Sequence, residues 1–531
     1  TLRHGEMLDE HGNLYTQNLR RAKATDHYTL KGDAEEIYEP RFTFHGFRYA
    51  ELTGLAESPT RDTLTAIVLH SDLEPSGEFE CSEPLLNQLQ HNIQWGQKGN
   101  FLEVPTDCPQ RDERLGWTGD AQVFIRTAAF NMDVAPFFTK WQIDLADAQL
   151  PNGGIPRVVP QPGVDPEDGG PAWADAVMIC PWTIYRHYGD RRLLEEHYPV
   201  FKRYVDFLIE QSPDGLRCHP DRGGWHCYGD WLSINADTPK DLIGTAFLAR
   251  SAELMSEMAR VLERTEDLER YRQVFEQARR AFIRRFTTGD GLLVSQTQTA
   301  YVLALYFDLL PAELRAKAAA ELVRDIRARG MHLSTGFVGS PYLQFALNET
   351  GHLDVAYQLL NQKTWPSWLY PVTRGATTIW ERWDGWTDEK GFQDAGMNSF
   401  NHYAYGAIGA WLYAVVAGID LDETETGYRR SIIRPRPGGG LTHARARLHT
   451  IYGPLESSWR LENQKLLLSV EVPPNTTATV YVPAKTEQAV TEGGRSASEA
   501  PTVKFLEMRE GAAVFQVGAG RYSFESNVGS E

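Results

Sequence analysis

The stretch best equipped for chemistry is VPTDCPQRDERLGWTGDAQVF, residues 104–124. It crowds Asp107, Asp112, Glu113 and Asp120 together with Arg111, Arg114 and Trp117. Pro105 and Pro109 forbid a helix through its first half, because proline has no amide donor and its ring clashes with the preceding turn. The carboxylates therefore lie on an irregular loop leading into a helix, where side chains can converge, and Asp120 is placed to cap that helix. A second acidic and aromatic run, ATTIWERWDGW, holds Trp380, Glu381, Trp383, Asp384 and Trp386. Hydrolysis of a glycosidic bond needs two such carboxyls, one protonating the leaving oxygen and one activating water. Indoles stack on sugar faces, and the low dielectric they create keeps a carboxylic acid protonated near neutral pH. Glu113 and Glu381 are the candidate pair. Asp112 and Arg114 read instead as surface ion-pair residues. His402, in NSFNHYAYGA, reads as a structural histidine at the start of a helix.

Other chemistries find little support. The five cysteines, Cys81, Cys108, Cys180, Cys218 and Cys227, form no CxxC pair and no disulfide framework. Cys108 has no histidine within ten residues, which argues against a catalytic thiol. There is no nucleophile elbow, no glycine-rich phosphate loop and no HExxH-like pair. No metal or cofactor is expected. A formal net charge of -18 repels nucleic acid and anionic membrane surfaces, so neither is expected as a partner. No apolar run reaches the ~18 residues of a membrane span. The compartment is unknown from the sequence; the sparse cysteines favour a reducing cytoplasm.

The elements that must position the two carboxyls fall into three regions of the 531 residues. Residues 1–78 end in RFTFHGFRYAEL, where aromatic alternation broken by Gly46 predicts a strand with a bulge. Residues 79–425 are helical. Leu268, Tyr271, Phe275, Ala278, Phe282 and Phe286 form one apolar stripe, and Pro311 and Gly330 bracket another helix. Residues 426–531 return to period two: KLLLSVEVPPNTTATVYVP predicts a hairpin about its PPN turn. Paired helices closed into a toroid, with long loops gathered at one mouth, would bury both helix faces.

TDCPQRDERLGWTGD resembles the signature of glycoside hydrolase family 78, the α-L-rhamnosidases. TTIWERWDGW, NSFNHYAYGA, PAWADAVMICPW and YGDWL are similar to that family in the same order. The resemblance implies a multidomain chain: an (α/α)6 barrel flanked by an N-terminal partial β-sandwich and a C-terminal antiparallel β-sandwich. It implies inverting release of terminal non-reducing L-rhamnose, with Glu113 as general acid and Glu381 as base. It implies that Asp107, Arg111, Trp117, Asp120, Trp173 and His402 hold the sugar, joined by Trp225 or Trp231, with Trp231 favoured. The partner implied is a small-molecule or oligosaccharide rhamnoside; a homodimer is left open. Relatives carry further β domains ahead of the barrel, so the chain, opening on Thr1, is expected to be a piece of a longer protein.

Two rivals remain at this level. Another (α/α)6-barrel glycosidase or a phosphorylase shares the toroid, because fold does not determine reaction. Phosphorolysis needs cations beside Glu381, where only Arg374 and Arg382 are close in sequence. A non-catalytic carbohydrate-binding protein would keep the aromatic grooves without the acid–base pair.

Overall fold

A computed structural model of the chain describes residues 1–32, 34–163, 168–218 and 227–527. Its centre is a double ring of helices. Thr118–Asn131 packs against Ala176–Tyr188, which packs against Lys240–Val261. Gln298–Tyr306 and Ser340–Glu349 follow, and a mixed helix over 404–417 returns to Thr118–Asn131, closing the inner ring. Outer helices alternate with them in sequence: Pro84–Asn100, Ala135–Asp147, Arg191–Gln211, Thr265–Phe286, Ala312–Ala328 and Leu353–Leu360. This is the (α/α)6 barrel.

The two rings differ in sequence for a physical reason. A helix enclosed by others must be apolar or small on every side. In Thr118–Asn131 every residue but Arg126 is buried, and in Gln298–Tyr306 every residue but Tyr306. The outer Thr265–Phe286 buries only Tyr271, Ala278, Ala281, Phe282 and Phe286, with Leu268 and Phe275 half-covered at the edge of the same stripe. Its arginines and glutamates face out.

After the barrel come two sheets. The seven-stranded one includes Gly77–Cys81, a strand from before the barrel that pairs antiparallel with His443–Thr450, so the expected boundary at residue 78 falls inside a strand of this sheet. The five-stranded one starts at Ile419–Leu421. The sandwich satisfies the last barrel helix: Trp459 donates Nε1–H to the Val416 carbonyl at 2.7 Å, and Ser457 donates to that of Ala417 at 2.6 Å. These are carbonyls that a helix end leaves without intrahelical partners.

Two strand expectations need correction. Lys465–Val472 and Thr477–Pro483 are strands but not a hairpin: the first lies in the seven-stranded sheet and the second in the five-stranded. Both strands bury their alternate residues, so the turn carries the chain across the sandwich rather than back along one sheet. Residues 41–47 form no bulged strand. Phe42 is exposed with φ 60, and regular pairing resumes only at Tyr49–Leu52, which with Thr25–Asp26 flanks Leu2–Gly5.

Candidate active site

The signature loop is closed by its own first carboxylate. Asp107 accepts the Leu115 amide at Oδ1, 2.8 Å, while its own amide donates to the Leu115 carbonyl at 3.0 Å. Between them Arg114 adopts a left-handed conformation, φ 49, which turns the chain back. The eight-residue span thus folds on itself and directs Arg111 and Glu113 inward.

Arg111 is the hub. It is buried, and its Nη1 lies 3.0 Å from Oε2 of Glu381, 270 positions away. Its Nη2 reaches Glu113 Oε2 at 2.8 Å, Glu381 Oε1 at 3.3 Å and Asp107 Oδ2 at 3.5 Å. Because Nη2 touches both glutamates, their nearest oxygens stand no farther apart than those two bonds laid end to end. A guanidinium, not solvent alone, occupies the space between them. Glu113 is further held by Trp117, whose Nε1–H donates to Oε1 at 2.9 Å.

Glu381 lies on a loop fixed from both sides. Its amide donates to the Ser399 carbonyl at 2.9 Å and its Oε2 accepts the Ser399 amide at 2.8 Å. Burial pushes its carboxyl up, but Arg111, with His402 and the Ser399 amide, outweighs that and holds it below the usual carboxylate range. Asp107 moves the other way, up to about 7, through burial first and then the charge of Glu113. Asp107 and Glu113 offer oxygens within 4.8 Å of each other.

Asp120 does not cap the helix. It stands in the first turn of Thr118–Asn131, where no side-chain cap bond forms, and its Oδ1 is 3.0 Å from His402 Nε2. Burial disfavours a charged imidazole, yet Asp120, with Glu381 and Asp107 behind it, raises His402 above its ordinary value. His402 is thus a buried partner of Asp120 in the site and not the bystander its lone position implies. Asp112 does pair at the surface, with Arg21 at 3.0 Å. Arg114 forms no such pair: it donates to the Arg111 and Phe44 carbonyls, each at 3.0 Å.

The downstream indoles do not form the stacking surface that their run suggests. Trp380 packs edge-on against Phe400, and Trp383 stacks on Tyr405 at 3.9 Å, so these indoles build core. Trp117, Trp173 and Trp231, the indoles that the resemblance implies, are linked through Tyr228 at centroid distances of 5.9, 4.6 and 5.9 Å. Trp173 fits against Gly119, where a Cβ would meet its ring at 2.5 Å. Its loop is tied down by buried Asp175, which accepts from the Ala172 amide, Tyr204, Ser251 and Arg217. Asp230 anchors the Trp231 loop by accepting the Gly336, Val338 and Gly339 amides at 2.7, 2.9 and 3.1 Å. Trp225, the alternative, lies outside the described residues. Tyr228 was legible only as one more ring in the loop DRGGWHCYGDW.

Sequence reasoning named Arg111, as a residue holding the sugar, but missed its bridge between the glutamates, Arg20 and the N-terminal contribution. Arg374 and Arg382 are neutralised by Asp388 and Asp384; Arg111 and Arg20 are the cations at the carboxylates. Asp107, Cys108 and Glu113 offer metal-ligand atoms within 4.8 Å of one another, but the Arg111 guanidinium already supplies the positive charge there. A second group joins His4 and Asp26, on strands of the first sheet, with His45 of the segment before Tyr49–Leu52.

Three family models match the chain. The bacterial α-L-rhamnosidase six-hairpin glycosidase domain covers residues 74–416, its C-terminal domain 418–497 and its concanavalin-like domain 1–70. An α-L-rhamnosidase of Streptomyces avermitilis is 48% identical over 98% of this chain and 49% of its own length. One from Formosa agariphila is 40% identical over 99% of this chain and 57% of its own. The crystal structure of the Streptomyces avermitilis enzyme complexed with L-rhamnose superposes with a TM-score of 0.93 at 46% identity, covering 99% of this chain and 49% of that one. The chain thus spans about half the length of the curated relatives it matches.

Proposed function

The chain belongs to the bacterial α-L-rhamnosidases of glycoside hydrolase family 78, and we propose that its barrel hydrolyses terminal α-L-rhamnosides with inversion. The observation that carries this reading is Arg111 gripping Glu113 and Glu381 at once. One basic side chain thereby sets an acid and a base across a single site.

In this reading Glu113 gives its proton to the departing glycosidic oxygen while Glu381 takes one from the attacking water. The environment of Glu381 fits a base: a carboxylate held low by a buried guanidinium remains ionised at working pH. Asp107, raised to about 7 and within 4.8 Å of Glu113, can keep a proton beside the acid near neutrality. Asp107 and Asp120 accept sugar hydroxyls, which bind best to charged acceptors. Trp117, Trp173 and Trp231 present ring faces to the sugar and its apolar C6 methyl, and His402 fixes Asp120.

The test is release of nitrophenol from the α-L-rhamnoside beside other nitrophenyl glycosides, with the product anomer followed by NMR. Turnover confined to the rhamnoside, first release of the inverted anomer, and a loss of ~10²-fold or more in Glu113→Gln with sugar binding retained are expected. Cleavage of another sugar only would overturn the substrate; retention of configuration would overturn the roles.

A further inference from the structure

Three residues among the first twenty bond to the barrel although they belong to no motif, and one of them, Arg20, reaches a carboxylate of the candidate pair. Arg20 puts Nη1 3.0 Å from Glu113 Oε2, and its Nε–H donates to the Gly396 carbonyl at 2.8 Å. Asn18 donates through one nitrogen to Glu6 Oε2 at 2.9 Å and to the Asn398 carbonyl at 3.2 Å. Glu6 Oε2 accepts the Phe400 amide at 3.2 Å, one residue from the Ser399 amide that binds Glu381. Farther along the N-terminal region, Gly46 also lies tight on the signature loop: a Cβ there would meet Pro109 at 2.7 Å and the Gln110 nitrogen at 2.9 Å.

The groups facing Glu113 define what Arg20 does there. Arg111 approaches Oε2 from the barrel side, Trp117 holds Oε1, and Asp107 and Cys108 lie within 4.8 Å. Asp112 stands 3.9 Å from Arg20 and is itself neutralised by Arg21. Arg20 is therefore the one cation that the N-terminal region brings to Glu113 among the described residues. Tied to Gly396, it has little rotamer freedom and fixes the direction of Oε2.

We propose that Arg20 is a positioning residue for the acid, which makes the N-terminal segment a working part of the active centre. This rests on reading Glu113 as the acid. Arg20 orients the carboxyl toward the leaving oxygen, and losing it misaligns the acid.

The experiment compares wild type, Arg20→Gln, Arg20→Met, Arg20→Lys, Arg21→Gln and Glu113→Gln on an alkyl α-L-rhamnoside, whose leaving group needs the acid's proton. Arg20→Gln should lower kcat by ~10-fold or more, as misplaced catalytic groups do, with KM within ~3-fold. Arg20→Lys should restore most of the rate, and exposed Arg21→Gln should match wild type. If Arg20→Gln does not fold, Arg20→Met decides: a reduced kcat with KM held supports the proposal, and an unchanged kcat overturns it. An Arg20→Gln enzyme with wild-type kcat also overturns it. In that case a dead Glu113→Gln leaves the acid assignment standing, whereas a wild type inert on rhamnosides removes the assignment itself.

Discussion

Two stretches meet at Glu113 with like chemistry and unlike architecture. Residues 107–120 hold their geometry locally: Asp107 bonds Leu115 eight residues on, and Trp117 bonds Glu113 four residues back. Residues 6–20 work only at long range, Arg20 reaching Glu113 across 93 positions and Glu6 reaching Phe400 across 394. Each brings one arginine to the same oxygen. The difference teaches that a local loop can preorganise a charge on its own, while a remote segment contributes only once the whole interface has docked. Ordering a distant segment costs chain entropy that local bonds do not incur.

The largest test of this contrast is Arg111→Lys. An ammonium cannot span both oxygens of Glu381 and Glu113 together, so a loss of ~10²-fold or more in kcat/KM is expected. Arg20→Lys should lose far less, since only one of its bonds is to a carboxylate. Equal losses would break the distinction between hub and outer support.

A sharper comparison uses pH. Burial and then the charge of Glu113 raise Asp107 to about 7. Asp107→Asn should therefore remove a group titrating near 7 from the kcat/KM profile, whereas Arg20→Gln should leave that group in place. A profile unchanged in Asp107→Asn would show that Asp107 does not titrate in the working site.

The smallest effect concerns stability. Burial first, against the Phe400 amide and Arg111, leaves Glu6 raised to about 7. A carboxyl with a raised folded pKa contributes stability below its unfolded value of 4.5, and that contribution is lost as pH climbs through about 7. Glu6→Gln should thus narrow the gap in Tm between pH 5 and pH 8, read by thermal unfolding. An unchanged gap would place the titration elsewhere.

Much of the barrel was readable because helix periodicity records which faces are covered. The stripe from Tyr271 to Phe286 is buried as its spacing predicts, and Pro311 and Gly330 flank Ala312–Ala328. Glu113 and Glu381 were readable as carboxylates in turn-rich, aromatic runs. Trp380 and Trp383 misled, because an indole in a core and an indole over a sugar look alike in sequence. The PPN turn misled because strand alternation is identical whether the next strand joins the same sheet or the facing one. Arg20 and Glu6 left no signal at all: a charged residue in a polar run is usually solvated, and nothing in HGNLYTQNLRR marks a buried contact.

The amino-acid order by itself determined the element types, the loop that projects Arg111 with Glu113, and the residue classes available for acid and base work, because proline, periodicity and neighbouring charge act over a few residues. Only the tertiary structure decided which carboxylates share a guanidinium, that His402 answers Asp120, and that the first twenty residues reach Glu113. Arg111 meets Glu381 across 270 positions and Arg20 meets Glu113 across 93, and an electrostatic partner is chosen by distance in space, which no local pattern encodes.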